Sequence, residues 1–236
     1  AMRMSVWNKP RVIGCAENYP QHIALPRGCL DSALSFLRYN NIAAELIDKR
    51  FAGTECNAVF TGNLRAEQEE AVSALLRYDT GVLCAPTAFG KTVTAAAVIA
   101  RRKVNTLILV HRTELLKQWQ ERLEVFLQVG DNIGIIGGGK HKPCGNIDIA
   151  VVQSISRHGE VEPLVRNYGQ IIVDECHHIG AVSFSAILKE TNARYLLGLT
   201  ATSIRRDGLH PIIFMYCGAI RHTAARPKES LHNLEV

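Results

Sequence analysis

Lys91 and Thr92 close the octapeptide Ala85-Pro86-Thr87-Ala88-Phe89-Gly90-Lys91-Thr92, which follows the apolar run Gly81-Val82-Leu83-Cys84 and precedes an alanine-rich helical stretch over 93–100. A strand, a glycine-containing turn ending in Lys-Thr, and a helix form the context of a phosphate-binding loop. Backbone N–H groups of such a loop point inward, and the helix N-terminus adds roughly half a positive charge. Lys91 would contact β- and γ-phosphates, Thr92 would coordinate Mg²⁺, and Gly90 would let the backbone approach closely. Pro86, Thr87, Ala88 and Phe89 complete the cradle, and a nucleoside triphosphate is the expected ligand. The bland alternative, an ordinary turn matching by chance, is disfavoured by the strand and helix on either side.

A second group of reactive residues, Asp174-Glu175-Cys176-His177-His178, leaves the apolar run Ile171-Ile172-Val173. An aspartate at a buried strand exit is suited to holding Mg²⁺, and the adjacent glutamate to orienting and deprotonating an attacking water. Asp174 could instead cap a helix. A zinc site on Cys176, His177 and His178 fits poorly, because tetrahedral ligand sets usually leave residues between partners.

Several runs must position these groups. Those at Thr106–Val110, 147–152, Gln170–Val173 and 195–199 are almost unbroken by polar residues. Such runs predict strands buried on both faces, hence a doubly wound α/β sheet with its ligand at the carboxyl strand ends. A helix starting at Leu64 carries Ala71, Val72, Leu75 and Leu76 on one face. Another places Leu115, Leu116, Trp119, Leu123, Phe126 and Leu127 at helical spacing, which reads as core. Gly137-Gly138-Gly139-Lys140 lacks a following helix and predicts a hairpin or loop.

Residues 1–60 form a separate block with β-like stretches at 11–15, 22–25 and 42–47. Its helix sets Leu30, Ala33, Leu34 and Leu37 at i, i+3, i+4, i+7, with Asp31 near the start. This ββαβ-like unit is small for independent folding and is expected to pack on the larger C-terminal block, with 53–63 as a linker. The 236 residues are 47% hydrophobic and 21% charged, with a net charge of +5, which is compatible with a nucleic-acid partner without establishing one. No apolar run nears the ~20 residues that span a bilayer. Seven cysteines lie singly without a CxxC pair, as expected of reduced thiols, so a cytoplasmic protein with no membrane partner is expected.

Together these motifs resemble the first motor domain of superfamily 2 helicases and translocases, DExH group, with Asp174-Glu175-Cys176-His177 as the signature tetrapeptide. Gly198-Leu199-Thr200-Ala201-Thr202 is similar to the Ser/Thr-Ala-Thr motif linking ATP state to nucleic-acid binding. Leu64-Arg65-Ala66-Glu67-Gln68 resembles the Leu-Arg-x-x-Gln element, which makes Arg65 and Gln68 nucleotide-binding, Gln68 on the adenine edge. That role also suits an amide able to pair with adenine N6 and N7; a polar residue at a helix boundary is the alternative. Val110 to Trp119 resembles motif Ia, and Val151-Val152-Gln153-Ser154-Ile155 the strand-end segment along the bound strand, which implies nucleic-acid contacts from Arg112, Gln153 and Ser154.

The resemblance implies a RecA-like P-loop NTPase domain over 61–236, with a mostly parallel sheet and a small α/β module in front. It covers about 61–220 and is nearest to type III restriction-enzyme motor subunits and the excision-repair helicase. Arg205-Arg206-Asp207-Gly208 stands at the repair helicase's Arg-Glu-Asp element with Arg206 in place of Glu, and Ser203 stands where many members have proline. The implied cofactors are ATP and Mg²⁺, with Lys91, Asp174 and Glu175 catalytic, and His177, Thr200 and Thr202 coupling hydrolysis to movement. The implied partners are DNA rather than RNA and a second RecA-like domain. These motors need that second domain for an arginine finger, so the sequence is expected to be part of a longer protein with little turnover alone. The alternatives are a non-hydrolysing regulatory or scaffolding nucleotide-binding domain, and a GTPase or metabolic kinase, which the DExH and Thr-Ala-Thr elements disfavour.

Overall fold

The structure, a computed structural model, describes residues 15–129, 133–157, 160–178, 182–202 and 210–225. Its centre is an eight-stranded sheet: β1 (Thr80–Cys84), β2 (Thr106–Val110), β3 (Gly134–Gly137), β4 (Lys140–Lys142), β5 (Ile147–Val151), β6 (Gln170–Val173), β7 (Tyr195–Thr200) and β8 (Ile220–Thr223). The order across the sheet is β8-β1-β7-β6-β2-β5-β3-β4. Every pairing is parallel except the β3–β4 hairpin, which turns through Gly138 and Gly139 as the glycine run predicts.

The unbroken apolar runs follow from two-sided burial. Leu83, Ile108, Val110, Ile149, Ile172 and Leu197 face one core with α2 (Ala66–Leu76), α3 (Lys91–Arg102) and α4 (Thr113–Phe126). Their neighbours Val82, Leu107, Leu109, Ala150, Ile171 and Val173 face a second core with α5 (Val182–Glu190) and α6 (His210–Cys217). Successive strand residues point to opposite faces, so both sets must be apolar. In the second core the buried Asp148 carboxylate accepts the Tyr168 hydroxyl and the Cys144 and Gly145 N–H groups, the latter two at 2.8 Å. Among the described residues no helix is long and apolar enough to cross a membrane.

The N-terminal block departs from its expected pattern. Strands Glu17–Asn18 and Ile23–Ala24 pair as a hairpin, followed by α1 (Leu30–Tyr39), whose predicted stripe is half-buried at Ala33, Leu34 and Leu37 and exposed at Leu30. The stretch 42–47 is not a strand. Ile42, Leu46 and Ile47 are exposed and, among the described residues, no neighbouring strand supplies ladder partners, so apolar content alone does not make it β. Residues 11–14 lie outside the described residues, as do Ser203 and Arg205-Arg206-Asp207-Gly208. Packing on the sheet domain is close: Arg27 donates to Thr191 O and Ala193 O at 2.6 and 2.5 Å. A Cβ on Gly28 would come within 2.2 Å of Phe214 O.

The segment 53–63 is docked, not a free linker. Cys56 and Ala58 are buried against the first core, and Val59–Phe60 pairs with Leu127–Gln128. That pairing draws Leu127 out of α4, so the helix ends at Phe126. The helix expected at Leu64 starts at Ala66, because Arg65 is extended and its N–H is accepted by Gln68 Oε1 at 3.0 Å. Tyr168→Phe removes one donor from the buried Asp148 and is expected to cost about 2 kcal/mol in denaturant melts, with the sheet otherwise intact.

Candidate active site

Parallel register brings the reactive groups to one edge. Cys84 is level with Thr200, and Val173 with both Leu109 and Gly198, so the residues after β1, β6, β7 and β2 emerge side by side. Ala85 N–H donates to Thr200 O at 2.9 Å and Asp174 N–H to Leu109 O at 3.0 Å, extending the sheet by one residue into the site.

The loop after β1 forms a 3-10 turn, Thr87–Phe89, which includes Ala88 and follows Pro86. Gly90 then takes φ 87°, ψ 46°, a left-handed conformation that costs glycine little. A Cβ there would also come within 2.7 Å of Gln68 Nε2. Gly90 starts α3 without a side-chain cap, so the first N–H groups of the helix lack side-chain acceptors. Gln68 and Arg65 both donate to Phe89 O, at 2.8 and 2.7 Å, tying the start of α2 to the loop. Gln68 thus has one N–H and one Oε1 lone pair to spare. Beside it a cavity of about 460 Å³ opens between Arg65, Pro86, Phe89 and His222.

Lys91 is buried, with Nζ 3.3 Å from Ala85 O and 3.5 Å from Glu175 Oε1. Asp174 is buried too. Its Oδ2 accepts the Trp119 indole N–H at 2.8 Å and its Oδ1 accepts Glu175 N–H at 3.0 Å. Burial pushes the Asp174 carboxyl above its ordinary value, and the Glu175 charge adds to this against the Trp119 hydrogen bond. Glu175 has φ 47°, unusual for a residue with a side chain.

His177 Nδ1 lies 3.2 Å from Thr200 Oγ1 and 3.1 Å from Glu175 Oε2. Thr200 Oγ1 donates to Thr202 O at 2.8 Å and accepts Thr202 N–H at 3.1 Å. With its proton committed to Thr202 O, the Thr200 hydroxyl can accept from His177 in the tautomer that carries its proton on Nδ1. Glu175 Oε2 is buried, and its contact with His177 is not an aligned hydrogen bond. Cys176 is sealed in the second core, where burial and Cys217 push its thiol well above its ordinary value, making it a poor metal ligand.

Arg112 is extended at the start of α4 and exposed, and Gln153 and Ser154 lie in a short helical turn after β5, on the same edge of the sheet. The structure therefore brings Lys91, Asp174, Glu175, His177, Thr200 and Thr202 into one contact chain and leaves the other three along its flank. The larger cleft, about 530 Å³, is at the opposite edge, where Asp79 pairs with Arg50 and Arg194, and Asp31 with Arg221. Those groups satisfy one another.

Two residues have roles that no local pattern signals. Trp119 reads as core from its spacing, and nothing near it in the chain points to a carboxylate partner 55 residues away. His111 lies close enough to Glu175 and His177 to feel their charges. Burial, then Arg112, holds its imidazole below the ordinary value. The folded protein therefore keeps His111 neutral at a pH where the unfolded chain protonates it. Its contribution to stability is intact above the unfolded value, about 6.5, and is lost as pH falls through the window below it. Denaturant melts at pH 7.5 and 5.5 are expected to show lower stability at 5.5, with a shallower decline in His111→Gln.

Residues 61–205 match the family described as type III restriction enzyme, res subunit. The DNA 3'-5' translocase XPB2 of Sulfurisphaera tokodaii is 37% identical over 157 residues, 66% of this chain and 35% of that protein. The chain thus spans about a third of that relative's length. The UvsW helicase of bacteriophage T4 superposes with a TM-score of 0.64 at 20% identity, covering 86% of this chain and 80% of the other. The Sulfolobus solfataricus SWI2/SNF2 ATPase core, solved with dsDNA, superposes at 0.54 and 22%, over 71% and 38%. A buried lysine on a glycine turn, an Asp-Glu pair at a strand exit and a His–Thr contact on a RecA-like sheet agree with the match along 61–205: the chain belongs to the type III restriction enzyme res-subunit family of superfamily 2 helicase-type ATPases.

Proposed function

We propose that residues 61–236 are the ATP-binding half of a nucleic-acid-dependent ATPase motor, acting on DNA in preference to RNA, with residues 1–60 as a small accessory unit. The observation that carries this reading is the buried Lys91 ammonium between Ala85 O and Glu175, with a third N–H to spare at the foot of a glycine turn. In this reading the triphosphate lies along Pro86 to Thr92 and draws Lys91 toward its β- and γ-phosphates. That releases Glu175 to orient a water and accept its proton at Oε2, the oxygen with no aligned donor.

The residues present fit Mg²⁺. The Thr92 hydroxyl and the Asp174 carboxylate are hard oxygen donors, and each Asp174 oxygen accepts only one hydrogen bond. When bound, Mg²⁺ supplies neutralisation of charge on the phosphates. Gln68 can spend its remaining N–H and lone pair on adenine N7 and N6 while still holding Phe89, beside Arg65. Guanine, which presents an O6 acceptor there, is disfavoured. His177 carries the change at Glu175 to Thr200 and Thr202. Arg112, Gln153 and Ser154 supply the side-chain types that hold a nucleic-acid backbone without reading sequence. A second RecA-like domain would complete the site, and alone the chain binds ATP with little turnover.

In the full protein, Glu175→Gln is expected to lower DNA-stimulated hydrolysis at least ~10²-fold while ATP stays bound. A non-hydrolysing scaffold would be indifferent to the change. Competition binding is expected to favour ATP over GTP, and Gln68→Ala to erase that preference. A GTPase or kinase would show neither result.

A further inference from the structure

Trp119 lies two turns into α4 between Leu116 and Leu123 and is 2% exposed. A buried indole N–H needs an acceptor. Here it takes Asp174 Oδ2, at 2.8 Å, while the N–H of Glu175 takes Oδ1 at 3.0 Å. One donor comes from the strand exit itself and the other from a separate helix, so the carboxylate is gripped from two directions. Phenylalanine or leucine would fill the same apolar stripe; the polar tip is the one property that packing does not require.

We infer that Trp119 is a positioning residue for the Asp174 carboxylate, fixing the orientation in which it takes a divalent cation. This rests on the reading of Asp174 as the metal ligand given above. Partners that orient metal ligands typically change metal affinity 10–100-fold when removed. A residue that only fills the core would, when altered, lower thermal stability and weaken nucleotide binding with or without metal.

The test is equilibrium binding of a fluorescent ATP analogue to the full chain at increasing Mg²⁺. In Trp119→Phe the Mg²⁺ concentration giving half of the metal-dependent tightening is expected to rise about tenfold, with metal-free binding within twofold of wild type. Asp174→Asn is expected to lose the metal-dependent tightening altogether. An Asp174→Asn protein with wild-type Mg²⁺ dependence would overturn the metal-ligand reading. Loss in Asp174→Asn, with Trp119→Phe unchanged or weakened equally with and without Mg²⁺, would overturn the positioning role alone. If Trp119→Phe does not fold, the indole N–H resonance of Trp119 decides in the otherwise native chain, with the other tryptophan removed by Trp7→Phe. It is expected to shift on adding Mg²⁺ to the nucleotide complex, and an unmoved resonance in a protein that binds Mg²⁺-nucleotide would overturn the inference.

Discussion

Parallel hydrogen bonding at fixed register among β1, β7, β6 and β2 is the constraint on which the rest depends. Cys84 pairs with Thr200 and Val173 with Leu109 and Gly198, so the four strands end at one edge, with β1 and β7 running slightly beyond β6. The chain then has one edge where loops from distant parts of the sequence can meet. A slip of one residue would exchange the side chains facing the two cores, and because both cores are apolar it is their packed shape that resists the exchange. The RecA-like arrangement is thus a consequence of where apolar residues run without interruption.

At that edge the molecule gathers charge out of water. Lys91 and Asp174 are both buried, and Glu175 is close to each. Burying an ionised group is costly unless another compensates, so ammonium and carboxylates stabilise one another here. Beside the left-handed turn at Gly90, the backbone is held in an unusual conformation for a residue with a side chain at Glu175, φ 47°. Such conformations persist where surrounding contacts over-determine them, and they cluster at functional sites. The links from Gln68 and Arg65 to Phe89 O supply those contacts beside Gly90, and the Glu175 N–H bond to Asp174 Oδ1 with the Lys91 ion pair supplies them at Glu175.

Much of this is legible in the sequence because its signals are local. The buried strands announce themselves as runs, Gly90-Lys91-Thr92 by its flanks, and Asp174-Glu175 by its place after a run. The features that escape a linear reading depend on partners far along the chain. Residues 42–47 look like a strand until one asks what they would pair with. Residues 53–63 look like a linker because they hold few apolar residues between turn-forming ends, yet Cys56 and Ala58 are buried against the first core. Periodicity shows that Trp119 faces inward, but not that its N–H meets Asp174.

In the reading proposed above, these groups form one metal–nucleotide site. Crystals of the chain grown with Mn²⁺ and a non-hydrolysable ATP analogue test it most directly, through the anomalous signal of the metal. A single strong peak bounded by Thr92 Oγ1 and the Asp174 carboxylate is expected, with the phosphates on residues 86–92. A nucleotide bound elsewhere, or a metal peak that touches neither residue, would contradict it.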